Sequence, residues 1–164
     1  MSGGAVSLPS VLTVGFGVLL FTTILIIAIV DYRRLVLPDR LNLLLAIGGV
    51  GQALLLGRPD LVDAIAGGLV GFMMLCIVAM LFRWARGMDG LGFGDQKFVA
   101  AAGLWLGWER VAPMLLIASI AALAFAVIRS AWTGAFGRNH RLPFGPFLGL
   151  GTAACWLGAV IIPS

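Results

Sequence analysis

Apolar residues run along this chain in six blocks divided by short polar interruptions, and the blocks predict helices over residues 11–30, 41–56, 62–82, 95–108, 111–128 and 144–162. The runs are continuous, without the alternation of a lipid-facing strand, which argues against a β-barrel. Crossing a hydrocarbon core of roughly 30 Å takes about 20 helical residues. By that measure the first, third, fifth and sixth blocks are long enough, whereas the second and fourth are short and imply a thinned or partly hydrated region near their ends. Residues 1–10 carry no basic segment and the apolar run that follows is long for a signal peptide, so the first block is expected to be a retained span.

Composition agrees with that pattern. Of 164 residues, 61% are hydrophobic and 11% charged, against roughly 25% charged in soluble domains. The mean hydropathy is +1.09. The expected fold is an all-α polytopic membrane protein, a bundle of about six transmembrane helices forming a single membrane-embedded domain over residues 1–164. The 23 glycines are spread as close helix packing requires.

Charge then orients the bundle. Arg33, Arg34 and Arg40 follow the first block, Arg83, Arg86 and Lys97 the third, and Arg129, Arg138 and Arg141 the fifth. Nine of the 11 cations thus share one face, with Arg58 and Arg110 on the other. Cytoplasmic loops carry the excess of Lys and Arg, so these three loops are expected inside and both termini on the extracytoplasmic side. Topology accounts for the net charge of +4 without a nucleic-acid partner.

Few groups could carry chemistry. Cys76 and Cys155 lie singly in apolar runs and read as core residues. His140 is the only histidine, which excludes a multi-His metal site within the chain, and no G-x-S-x-G turn supports a serine hydrolase. No cofactor or metal is expected. Trp84, Trp105, Trp108, Trp132 and Trp156 fall near block ends and read as interfacial anchors. Of seven acids, Asp60, Asp63 and Glu109 read as helix caps or solvated charges, with Asp63 able to cap the third helix.

Asp31 and Asp95 stand apart. Asp31 closes a long apolar run and precedes Tyr32-Arg33-Arg34-Leu35-Val36-Leu37-Pro38-Asp39-Arg40; Asp95 opens another, behind Gly90-Leu91-Gly92-Phe93-Gly94. Both belong to the cation-rich face, and the first and fourth helices of a compact bundle can be neighbours. Two carboxylates at one depth suit an aspartic protease, one taking a proton from water and the other donating to the substrate carbonyl. From the residues alone, a pair of interfacial caps or an ion site fits as well. Gly90, Gly92 and Gly94 would let the loop bend into the membrane edge and leave backbone free to pair with an extended substrate, or form a plain flexible connector.

Three segments resemble the type IV prepilin peptidases, the GxGD class of membrane aspartic proteases. Asp31 with Leu37-Pro38-Asp39 is similar to that family's D-x6-P followed by Asn or Asp. Gly92-Phe93-Gly94-Asp95-Gln96-Lys97 is similar to its GxGD-x-K, and Leu142-Pro143-Phe144-Gly145-Pro146-Phe147 resembles its PFGP segment. The resemblance implies Asp31 and Asp95 as the catalytic pair. It implies cleavage of a basic leader from prepilins or pseudopilins, after glycine, at the cytoplasmic face of the bacterial inner membrane. Gly90, Gly92, Gly94, Lys97, Pro38, Asp39, Pro143, Phe144 and Gly145 are then candidates for shaping the loops and positioning substrate. Asp39 is assigned to loop structure, Lys97 to snorkelling toward the surface, Pro38 and Pro143 to helix starts, and Phe144 and Phe147 to packing. Asn42 stands where many relatives carry Thr, and either residue can cap a helix.

The Cys-rich segment of the longer family members has no counterpart here, so N-methyltransferase activity is not expected with the peptidase. A presenilin-like protease shares GxGD, but there the first aspartate follows tyrosine, whereas Asp31 precedes Tyr32. The reading from a different class is a non-enzymatic membrane subunit or proton-coupled carrier with Asp31 and Asp95 as a relay; the chain lacks the internal repeat such carriers tend to show. Each aspartate's own helix suggests a division of labour, with Asp95 at a positive helix start as the ionised base and Asp31 at a negative helix end as the protonated acid.

Overall fold

The computed structural model describes residues 8–87, 92–133 and 143–162. Its six helices are α1 (Leu8–Arg34), α2 (Asp39–Leu56), α3 (Leu61–Arg86), α4 (Phe93–Leu106), α5 (Trp108–Thr133) and α6 (Gly145–Ile161). Their number and order match the apolar blocks, and the described residues contain no strand.

The boundaries differ where capping overrides hydropathy. α1 continues past the last apolar residue through Asp31 to Arg34, ending on two arginines that suit the negative end of the helix dipole. α3 starts at Leu61 because Asp60, not Asp63, is its N-cap, with Asp60 Oδ1 accepting from the Asp63 backbone N–H at 2.7 Å. Gly57 and Gly87 end α2 and α3 in the left-handed conformation, at φ 61° and 66°, which glycine adopts without a Cβ penalty.

Four helices, α1, α2, α3 and α5, are long and apolar enough to cross a membrane. α2, with 18 residues, is therefore longer than its block suggested, while α6 is a shorter apolar helix of 17. α4 has 14 residues, which span only about 21 Å. Its position explains how so short a helix is kept in an apolar bundle: it packs against α2, α3, α5 and α6, and the side chains of Phe98, Val99, Ala102, Trp105 and Leu106 are buried. By contrast, α1, α3 and α5 present Val18, Leu25, Leu69, Met80, Leu116 and Leu123 outward. In a bilayer such surfaces face lipid, so burial among protein marks the centre of the bundle and apolarity alone does not.

Small residues set the central contacts. A Cβ at Gly67 or Gly103 would collide with the other's backbone, and one at Gly71 would lie 2.9 Å from the Val99 carbonyl oxygen. Without side chains at these positions, α3 lies directly on α4. A buried polar hub closes one end of the bundle. Gln52 Nε2 donates to the Arg58 and Trp105 carbonyls at 2.8 and 3.3 Å, and Gln52 Oε1 accepts from Trp156 Nε1 at 2.7 Å. Trp105 Nε1 donates to the Leu45 carbonyl at 2.7 Å. Trp105 and Trp156 are thus buried parts of this hub and not interfacial anchors; Trp84, Trp108 and Trp132 are exposed.

Candidate active site

At the opposite end of the bundle from Gln52, the C-terminal turn of α1 meets the N-termini of α2, α4 and α6. Asp31 lies in that last turn of α1 and is 3% exposed; Asp95 lies in the first turn of α4 and is 8% exposed. Buried carboxylates are rare unless paired or hydrogen-bonded, and each has found a backbone donor. The Gly145 N–H, at the start of α6, donates to Asp31 Oδ2 at 2.9 Å. The Gly92 N–H donates to Asp95 Oδ2 at 3.2 Å, while the Asp95 N–H returns a bond to the Gly92 carbonyl at 3.1 Å. The second pair is a reciprocal N-terminal cap, which is why α4 begins two residues before the expected Asp95.

Both anchors depend on glycine for access. A Cβ at Gly145 would stand 2.8 Å from Asp31 Oδ2 and one at Gly92 3.2 Å from Asp95 Oδ2. The two carboxylates are close enough for the Asp31 charge to act on Asp95. The backbones of α1 and α4 nevertheless do not pack directly; α1 packs on α2 and α6, both of those pack on α4, and α1 reaches α4 through the Phe16 ring, which meets Trp105 edge to face at 6.1 Å. The helices that carry the carboxylates thus meet through side chains, as the sequence suggested they could, with α2 and α6 supplying the backbone packing between them. Asp31 also faces the N-terminus of α6 through Gly145, so the positive end of that helix opposes the negative end of its own. The asymmetry expected from their own helices is thereby reduced.

The start of α2 clamps the start of α4. Leu37 presses on Gly94, where an added Cβ would lie 3.0 Å from the leucine Cβ. Asp39, the first residue of α2, pairs with Lys97 at 2.7 Å, and the lysine also sits 4.9 Å over the Phe93 ring. Lys97 therefore neither snorkels freely nor touches Asp31 or Asp95. Pro38 is the N-cap of α2, with extended φ and ψ of −68° and 129°. Asn42 does not cap that helix: it is 5% exposed in the fourth position, with Nδ2 donating to the Gly94 carbonyl at 3.4 Å. At α6, Pro143 and Phe144 precede the helix and Pro146 occupies its first turn. Phe147 packs against the Phe125 ring at 5.6 Å. Gly90 lies outside the described residues.

These contacts give a physical reason for the spacing of all three segments. Asp31 and the residues from Leu37 to Asn42 lie on either side of one tight connection, and the second group fixes Gly92 to Lys97. The third segment delivers Gly145 to Asp31. That arrangement agrees with a comparison against protein-family models, in which the model described as the Type IV leader peptidase family matches residues 18–127. The chain belongs to the type IV leader peptidase family. Curated members similar to it bear the name prepilin leader peptidase/N-methyltransferase. One, from Burkholderia pseudomallei (strain 1026b), is 37% identical over 135 residues, 82% of this chain and 43% of its own length. Another, from Xanthomonas campestris pv. campestris, is 38% identical over 140 residues, 83% of this chain and 47% of its own. A third, from Escherichia coli (strain K12), is 36% identical over 135 residues, 82% and 59% respectively. The chain thus spans about half the length of the curated family members it matches. No solved structure matches it.

Sequence reasoning misses two polar partners at this end of the bundle. Gln96, beside Asp95, is buried and accepts a hydrogen bond from Cys76 Sγ at 3.2 Å, which ties α3 to the start of α4. Asn42 was weighed only as a cap. Both are uncharged amides, and only a polar side chain on the inward face of an apolar helix would have signalled them.

Proposed function

We propose that this chain is a membrane aspartic endopeptidase that removes the basic leader from prepilins or pseudopilins after glycine. What carries the reading is that Asp31 and Asp95 converge from separate helices, each held through one carboxyl oxygen by a glycine backbone N–H. Such anchoring fixes the two groups in orientation while keeping them within each other's field, as general acid–base hydrolysis requires. One carboxylate takes a proton from the attacking water as its oxygen bonds to the scissile carbonyl carbon. The other, protonated, donates to the carbonyl oxygen. Collapse of the tetrahedral adduct breaks the C–N bond, with a proton passing to the departing amine. The assignment extends to the peptidase reaction alone, and N-methylation of the product is not assigned to this chain.

The same end of the bundle bears Arg33, Arg34 and Arg40 on its surface, and the cation bias supports placing it at the cytoplasmic face of the bacterial inner membrane. Both termini of the chain then lie on the extracytoplasmic side. A prepilin with its basic leader inside would bring its scissile bond to that face.

Co-expression of the chain with a prepilin, followed by a mobility assay for the shortened product, tests the reading. Parent chain should process the precursor, and Asp31→Asn and Asp95→Asn should each abolish processing while inserting normally. Processing retained by either variant would overturn the assignment of the pair.

A further inference from the structure

The polar side chains buried in this bundle are not all settled alike. Gln52 uses its carboxamide oxygen and both N–H donors within the hub at the far end. The junction of α2 with α4 is different. Asn42 Nδ2 donates to the Gly94 carbonyl, but Asn42 Oδ1 and Asp95 Oδ1 are both buried without a hydrogen-bond partner, the only such side-chain atoms among the described residues. Native interiors leave few polar atoms in this condition, and those that persist call for an explanation in function or strain.

We propose that Asn42 is a positioning residue for Asp95. Its carboxamide is oriented by the Gly94 carbonyl, which requires the N–H2 side of the amide to face α4 and turns Oδ1 away as an acceptor. Gly94 adjoins Asp95, and Leu37, just before α2, and the Asp39–Lys97 pair at the start of α2 hold the same turn. Asn42 therefore holds the turn of backbone that carries Asp95. A purely apolar residue of the same size would fill the space equally well, so packing alone gives no reason for an amide here.

The inference rests on the peptidase reading for its role in turnover, but its effect on Asp95 is measurable without substrate. Full-length parent chain, Asn42→Leu and Asn42→Ala are purified in lipid nanodiscs. Each is assayed for thermal stability, for steady-state cleavage of a prepilin peptide, and for the rates at which a lipophilic carbodiimide labels Asp95 and Asp31, resolved by mass spectrometry. The expected result is a fall in kcat of at least tenfold with KM within about twofold of the parent, and a change in Asp95 labelling of at least fivefold with Asp31 labelling unchanged. Equal labelling of Asp95 and equal kcat in parent and variants would overturn the proposal. So would a loss of stability in both variants that alters Asp31 and Asp95 labelling in parallel, because that pattern marks a structural role. If the parent cleaves no prepilin, the peptidase reading fails and the Asp95-specific labelling decides the positioning role by itself.

Discussion

The Gly145 N–H donates to Asp31 Oδ2 across 2.9 Å, although 114 residues separate the two along the chain. A glycine at the first position of α6 is therefore part of the surroundings of a carboxylate at the last turn of α1.

Gly145→Ala tests that contact. The new Cβ would lie 2.8 Å from Asp31 Oδ2, closer than nonbonded atoms tolerate, so the carboxylate or the helix start must shift. Prepilin processing should fall at least tenfold, with membrane insertion and expression retained. A variant as active as the parent would show that Asp31 does not need this anchor.

At the centre of the bundle, Gly103→Val should loosen α3 from α4. Its side chain would meet the Gly67 backbone, with no flexible atoms to yield. Overpacking of this sort costs about 1–3 kcal/mol. Thermal unfolding in detergent should report the loss, whereas a valine at Gly15, where an added Cβ meets nothing within 4 Å, should be near neutral.

Removing the hub amide should be expensive for a different reason. Gln52→Leu keeps the volume but strips partners from Trp156 Nε1 and from the Arg58 and Trp105 carbonyls. Leaving the buried Trp156 Nε1 unpaired costs about 1–3 kcal/mol. A measurable drop in thermal stability is expected, together with reduced near-ultraviolet dichroism from the two tryptophans.

Leu35 has φ of 52°, a left-handed conformation that a leucine adopts only under constraint. Leu35→Gly should relieve about 1–2 kcal/mol of that cost, partly offset by the greater freedom of glycine in the unfolded chain. Denaturation should show equal or higher stability. A clear decrease would mean that the half-exposed leucine side chain contributes more than its backbone costs.

How much was legible in advance follows from the kind of signal each residue gives. The six helices were readable because hydropathy reports length directly, and Asp31 and Asp95 because a carboxylate beside a long apolar run has few ordinary explanations. Trp105 and Trp156 were misread as anchors, since an indole near the end of a span looks the same in sequence whether it turns toward lipid or toward Gln52. Asn42 and Gln96 were passed over for a related reason: uncharged amides disturb hydropathy little, and only the facing helix reveals what they bond. The way α1 meets α4 was likewise invisible, because it runs through one ring pair, Phe16 on Trp105, with α2 and α6 packed against both helices.

The path by which Asp31 obtains its partner has a consequence for biogenesis. In a chain made from its N-terminus, α1 and α4 are threaded into the membrane before α6, the last of the six helices in chain order. Until α6 inserts, Asp31 lacks the Gly145 backbone bond, and the α6 side of the bridge between the two carboxylates is missing. The surroundings of Asp31 are therefore completed only when the last of the six helices docks, however early α1 and α4 have met the bilayer.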